Sequence, residues 1–339
     1  MTGWFDGVVG HGRVVKLLER ELASPAGAYL FVGAASVGKA TVARHFATGL
    51  LCPTGDPTCN ICRRARGGNH ADLVPVLPEG RATLGVDQAR AVVSQAAMAP
   101  VEGERKVFLF EEAGAMTDQA ANALLKTLEE PTSTTVFILV AESEDDFPST
   151  IASRCRTVHF GRVAEAELIA ALADAELGPD DVEGLARVAG GRPGLAIALT
   201  RQPQVAEFRR LWLALPGRVT PRPGEAQRLA EEVLEALAPM IAEAVGDIED
   251  KDRKARAERR TELALLTSGL EILASWYTDS ASLQHGGPIR NTDIPLADLT
   301  DVTPAQAVAN AERVLDATID LQLNLRRQLL LSHLFTTLA

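Results

Sequence analysis

The sequence predicts an α/β domain, a parallel sheet covered by helices, followed by a chain that is helical to its end. Three observations predict it. An apolar run, Tyr29-Leu30-Phe31-Val32, leads into the glycine loop GAASVGKA at residues 33–40 and then into a helical pattern. Two more continuous apolar runs, residues 106–110 and 135–140, alternate with helical patterns, as buried parallel strands do. After about residue 161 the strand signal stops. Such alternation implies right-handed βαβ units.

The elements follow in order. Residues 13–22 read as a helix with Val14, Leu17, Leu18 and Leu22 on one face. The helix after the glycine loop runs to about Leu51. Residues 52–68, with Pro53, Gly55, Pro57, Gly67 and Gly68, break every periodicity and are expected to lie outside the core. Residues 72–77 read as a strand, and Pro75 puts it at an edge or a strand end. Residues 86–97 read as a helix with Asp87 near its start. The strand at 106–110 ends in Glu111-Glu112. Residues 117–130 form a strong helix. Thr117 caps it, Ala121, Leu124, Leu125 and Leu128 share a face, and Pro131 stops it. Residues 135–140 and 156–160 complete the strands. Residues 165–173, 180–189 and 193–199 read as short helices, and the chain from about residue 204 is helical apart from turns at 216–224 and 284–295. The expected domains are 1–161, with a cysteine-bearing insertion at 52–70, then 162–202 and 203–339.

A chain of 339 residues suffices for two or three domains. Its net charge of -11 argues against nucleic-acid binding over the whole surface, though not against a local basic groove. The start MTGWFDGVVG has neither a basic segment nor an apolar one, and no apolar run spans a bilayer. The expectation is a cytoplasmic protein with no membrane contact. There, Cys52, Cys59, Cys62 and Cys155 point to a metal or to free thiols rather than disulfides. Arg63, Arg64 and Arg66 read as a solvated basic loop, and the mixed charges of residues 247–260 as a solvated helix. Residues 305–338 carry an apolar pattern that packs within its own domain or against a partner subunit.

Two motifs carry chemistry. Gly33-x4-Gly38-Lys39 has the phosphate-cradling P-loop spacing, in which backbone N–H groups and a helix N-terminus face a polyphosphate. A Mg²⁺-binding hydroxyl is expected after the lysine, and Ala40 has none; Thr41 follows one place late. Glu111-Glu112 stands where a Walker B pair would, the first acid holding Mg²⁺ and the second polarising water. Glu111 is longer than the usual Asp. A polar pair at the rim of a sheet would look the same.

WFDGVVGH (residues 4–11), the P-loop, ANALLKTLEEP (121–131) and Ser153-Arg154-Cys155 occur in that order. In these motifs the chain resembles the bacterial DNA polymerase III clamp-loader family, an AAA+ assembly. The resemblance covers residues 4 to about 200. It continues more weakly in the C-terminal helices, where LQLNLRRQLLLSHL (321–334) is similar to the family's collar. It implies an AAA+ P-loop domain, a small helical lid and an all-α collar for oligomerisation. The family's motor subunits have intact ATP sites, and another subunit has a degenerate site and acts as a fixed wedge. ATLGVDQAR (82–90) is similar to the wording of the second kind. The family's ATP-sensing Thr would fall near Ala141-Glu142. The lid arginine would fall at Gly194, with Arg192 two places off. Ala40, Glu111, Ala141 and Gly194 are thus gaps in one apparatus. Gly33, Gly38, Lys39, Thr41, Glu111 and Glu112 remain as a degenerate nucleotide site at which ATP is optional.

The resemblance also implies that Arg154, between Ser153 and Cys155, is an arginine finger acting in trans on a nucleotide held by a neighbour. Glu129 and Glu130 would help order that edge. By its residues alone, Arg154 also fits a structural ion pair at a strand start. Zinc is implied at Cys52, Cys59 and Cys62, with Ala65 in place of the fourth cysteine; either His70 swings in as a substitute ligand, or the site is three-coordinate or empty. The implied partners are motor subunits and a clamp-opening subunit in a hetero-pentamer. That assembly loads the sliding clamp on primed DNA within a DNA polymerase holoenzyme, a nucleotidyltransferase. The alternatives are an ATP-hydrolysing motor subunit and an unrelated P-loop ATPase.

Overall fold

The computed structural model describes all residues except 1–2, 79–82, 174–178, 201–204, 247–250, 292–293 and 322–325. Parts of the 82–90 motif, of the charged run and of the 321–334 segment therefore lie outside the described residues, as does the expected boundary at 202–203. The chain divides into two compact units, residues 1–171 with 191–194, and residues 172–190 with 195–339.

In the first unit the elements run α1 (Gly12–Glu21), β1 (Ala28–Val32), α2 (Lys39–Leu51), α3 (Asn60–Arg66), β2 (Leu73–Pro75), α4 (Val86–Ala96) and β3 (Lys106–Phe110). They continue with α5 (Asp118–Glu129), β4 (Thr135–Ala141), α6 (Ser149–Ala152), β5 (Arg156–His159) and α7 (Glu165–Ala171). The five strands form one parallel sheet in the order β2-β3-β4-β1-β5. Every residue of β1, β3 and β4 is buried, which is why these strands read as unbroken apolar runs. Helices cover both faces. Phe108, Phe137 and Leu124 pack in one core, and Phe31, Phe46 and Ile138 in the other. Each such side chain contributes roughly 1.5–3 kcal/mol on burial.

Thr117 caps α5 as expected, its hydroxyl accepting from Ala120 N–H. Two expectations change. Residues 52–68 are not wholly outside the core, because α3 forms there and packs Ala65 into a core cluster. The expected strand 72–77 shrinks to Leu73–Pro75. Asp72, just before it, still accepts Val107 N–H through its backbone carbonyl at 2.8 Å, while its buried carboxylate accepts the N–H groups of Val101, Glu102 and Gly103 at 2.6, 2.9 and 2.9 Å. Arg64 is not merely solvated. It grips Glu102 at 2.7 and 3.1 Å, which ties α3 to the same loop. Lys106 is buried at the start of β3. Its Nζ donates to the carbonyls of Gln95, Met98 and Ala99 at the C-terminal end of α4.

The second unit is helical in its described residues: α8 (Pro179–Ala189), most of α9 (Pro193–Leu199), α10 (Val205–Ala214), α11 (Glu225–Val245), α12 (Lys251–Gln284), α13 (Pro304–Asp320) and α14 (Arg327–Leu338). Trp212, Leu273 and Phe335 are among its buried side chains. The apolar pattern of 305–338 is divided between α13 and α14. Among the described residues no helix is long and apolar enough to cross a membrane.

Burial raises the Asp72 carboxyl, but the three N–H donors outweigh it and hold the group below the usual carboxylate range. A depressed folded value gives stability that is present above the unfolded value of about 4 and is lost as pH falls through the folded one. Asp72→Ala should lower the unfolding free energy at pH 7 by about 2–3 kcal/mol. Denaturant titrations should show the gap to wild type narrowing below about pH 4.

Candidate functional site

In a parallel sheet, ligands gather at the carboxyl ends of the strands, and β1 brings the glycine loop to that edge between β4 and β5. Gly33 has φ 149°, and a Cβ there would lie 2.2 Å from the Phe160 carbonyl oxygen. Gly38, with φ 106°, is the N-cap of α2. Lys39 opens that helix with only 7% of its surface exposed. Its ammonium folds back onto the loop and donates to the carbonyls of Gly33 at 2.6 Å and Ala34 at 2.7 Å. Ser36 is left-handed at φ 61°, and its carbonyl accepts Gly194 N–H at 2.9 Å. His11 Nε2 donates to the Val37 carbonyl at 2.7 Å. Gly33 N–H donates to the Glu142 carbonyl at 3.1 Å. Four carbonyls of the loop therefore have donors within the chain.

The acidic element is also engaged. Glu111, at the end of β3, takes Arg44 of α2 in a two-pronged pair, Nε–Oε1 2.5 Å and Nη2–Oε2 2.5 Å. A guanidinium thus lies where a Walker B acid would meet a metal ion, and Mg²⁺ would have to displace it. Glu112 stands at the N-terminal boundary of the 3₁₀ turn Ala113–Ala115, with no side-chain capping bond to it. Thr41 is exposed and stands about 100° around the helix from Ala40, so it does not take over the missing hydroxyl's position. Ala141 ends β4 opposite Val32, beside the loop. Gly194 meets the loop through its backbone N–H. Arg192 is buried.

Ser153-Arg154-Cys155 lies at the other edge, between α6 and the start of β5. The four residues of β5, at about 3.3 Å each, put roughly 13 Å between this turn and the phosphate-loop edge. Arg154 is 30% exposed and pairs with Glu129, Nη2–Oε1 3.2 Å. Its Nη1 donates to the Thr150 carbonyl at 2.8 Å, and its Nε is buried without a partner. The ion-pair alternative for Arg154 is therefore present in the geometry. Ser153 Oγ donates to the same Thr150 carbonyl at 3.2 Å. Burial pushes the Cys155 thiol up to about 12, which keeps it unreactive.

Cys52, Cys59 and Cys62 gather as their spacing implies. Cys59 Sγ lies 3.7 Å from Cys52 Sγ and 3.5 Å from Cys62 Sγ, and all three sulfurs lie within 4.8 Å of one another. Tetrahedral zinc with bonds of about 2.3 Å spaces its sulfurs roughly 3.8 Å apart, so the three thiols fit a zinc ion. Burial raises the Cys59 thiol, but the Cys62 N–H and the neighbouring Cys62, Cys52 and Thr54 side chains bring it down to about 7. The expected substitute ligand does not join them. His70 lies outside the cluster, and its Nδ1 accepts Asp72 N–H at 3.1 Å. Ala65 offers no ligand atom.

Residues 10–164 match the family described as DNA polymerase III, delta subunit. The delta-prime subunit of Bacillus subtilis is 32% identical over 203 residues, which cover 58% of this chain and 61% of the relative. The delta-prime subunit of Pseudomonas aeruginosa is 40% identical over 139 residues, 39% of this chain and 42% of the relative. The tau subunit of B. subtilis is 33% identical over 173 residues, 49% of this chain and 30% of the relative. Over this N-terminal stretch the chain is similar to subunits of the DNA polymerase III clamp loader. Across these three clamp-loader relatives, the chain spans between 30% and 61% of their length.

Against the clamp-loader motifs, sequence reasoning missed Arg44 and His11. Arg44 resembles any surface arginine on a helix, and its partner is 67 residues away. His11 belongs to the WFDGVVGH motif, but nothing in that motif says that its ring serves the P-loop.

The geometry gives Lys39 a role in the ligand-free fold of the first unit. Lys39→Ala should cost about 1–3 kcal/mol of unfolding free energy without nucleotide, because two loop carbonyls lose their donor. Urea denaturation of the nucleotide-free protein checks this. Unchanged stability would mean that the lysine serves only a ligand.

Proposed function

We propose that this chain is a delta-prime-type clamp-loader subunit. In this reading it does not hydrolyse ATP itself, and it completes a neighbouring subunit's ATP site in trans. The observation that carries the proposal is the internal neutralisation of its own site. Lys39 is turned onto loop carbonyls and Arg44 occupies Glu111, while the metal-binding hydroxyl is missing at Ala40. Nucleotide at Gly33, Gly38 and Lys39 is optional, because the loop is held without it.

The position of Arg154 supports action in trans. It is on the opposite edge of the sheet from this chain's phosphate loop, too far for one side chain to bridge. A guanidinium is always charged and meets two phosphate oxygens at once. The partners are motor subunits and a clamp-opening subunit in a pentamer that loads the sliding clamp on primed DNA. Val308, Leu315 and Ile319 of α13 are 50%, 51% and 63% exposed. Their spacing puts them along one helical stripe, which supports assembly through the C-terminal helices. The tau relative matches as well as the delta-prime ones, so the motor-subunit reading is the competitor.

ATPase measurements decide between them. The purified chain should show no Mg²⁺-dependent turnover above background. Turnover at a motor's level, abolished in Lys39→Ala, would overturn the proposal. In the reconstituted complex, Arg154→Ala should leave assembly intact and slow DNA-stimulated hydrolysis. A finger contributes about 10³–10⁵ at the site it completes. Unchanged hydrolysis would remove the finger.

Zinc belongs to the same proposal. Cys52, Cys59 and Cys62 would hold it as a structural ion that staples the α2–α3 connection. With Ala65 in place of a fourth ligand, binding should be weaker than at a four-cysteine site. Metal analysis should find zinc in the wild type, less in Cys59→Ser, and tighter retention in Ala65→Cys. No zinc in the wild type would mean that the cluster is a set of free thiols.

A further inference from the structure

We propose that Glu129 is a positioning residue for Arg154, holding the guanidinium at the C-terminal end of α5 in the orientation that meets a neighbour's nucleotide. The inference rests on the reading of Arg154 as a finger. It goes beyond that reading by assigning a second residue to the same task. Arginine has a long, flexible side chain, and catalysis in trans needs its fork held before the phosphate arrives. Two anchors do this. The Thr150 carbonyl takes Nη1 at 2.8 Å, and Glu129 Oε1 takes Nη2 at 3.2 Å.

The anchors differ in kind. The Thr150 carbonyl is backbone, four residues before Arg154, and travels with the same turn. Glu129 comes from a different helix, 25 residues away, and fixes the arginine relative to α5. The Glu129 side chain is 55% exposed and contacts Arg154 through one oxygen at 3.2 Å. A monodentate pair of this exposure stabilises a fold little. It still narrows the range of positions open to the arginine, and it leaves the second N–H of Nη1 and of Nη2 for phosphate oxygens, Nε being buried.

The bland alternative is an ordinary surface ion pair at the end of α5, and the two readings make different demands. A surface pair acts on stability alone. A positioning residue acts on the neighbour's catalytic rate, needs a hydrogen-bond acceptor more than a charge, and acts only through Arg154.

The test uses the reconstituted complex with the other finger arginines replaced, so that only the site completed by this chain turns over. Arg154→Ala sets the full loss. Glu129→Ala should lower kcat at that site roughly 10-fold with KM for ATP unchanged, since a misplaced group costs rate rather than ground-state binding. The isolated variant should unfold at the wild-type denaturant midpoint. Glu129→Gln should recover most of the rate, because its amide oxygen still accepts from Nη2. In the Arg154→Ala background, Glu129→Ala should add nothing. If Arg154→Ala slows the site and Glu129→Ala does not, the positioning role falls and the finger stands. An increase in kcat on Glu129→Ala, or an effect that persists without Arg154, also overturns it. If Arg154→Ala changes nothing, the finger reading fails, and Glu129 loses its role with it.

Discussion

The first unit depends on one buried ammonium. A glycine loop that opens into a helix turns its carbonyls away from any ladder, and a buried carbonyl without a donor is destabilising. Lys39 supplies donors to two of them, and His11 and the backbone N–H of Gly194 serve two more. Four of the loop's carbonyls therefore have donors without a ligand. Gly33 and Gly38 are still required, one for its close approach to Phe160 and the other for a left-handed φ.

The same sheet separates two chemistries. On its carboxyl edge, cations and acids of this chain are matched with each other, most plainly in the pair of Arg44 and Glu111. On its amino edge, Arg154 is held by the Thr150 carbonyl and Glu129 and remains partly exposed. Short parallel strands of fixed length keep the two edges apart.

Legibility in the sequence followed burial. The strands β1, β3 and β4 were plain because every side chain is buried, and α5 was plain because Thr117 and Pro131 mark its ends. The α3 helix was hidden. It has seven residues among glycines and prolines, and its N-cap is the thiol of Cys59 rather than a hydroxyl or an amide. The role of the Asp72 carboxylate was hidden because its three backbone partners lie about 30 residues away. At the site, the missing groups at Ala40, Ala141 and Gly194 could be read by position alone. What fills the space instead, Arg44 on Glu111, is a contact between distant residues that no local pattern encodes. The three cysteines were legible as a cluster, but whether His70 joined them depended on its turn toward Asp72.

The short stretch 191–194 belongs to the first unit, while the residues on both sides of it belong to the second. The chain thus passes between the units more than once, and the order of residues is not the order of pieces. Cutting after Ala171 to isolate the α/β part would discard Gly194, whose N–H serves the Ser36 carbonyl, along with Gly191, whose carbonyl takes Val163 N–H. The part that carries the phosphate loop is therefore not a contiguous, excisable module. Limited proteolysis or truncation at that apparent boundary would yield a fragment with an incomplete loop, and its weak behaviour would misrepresent the intact protein.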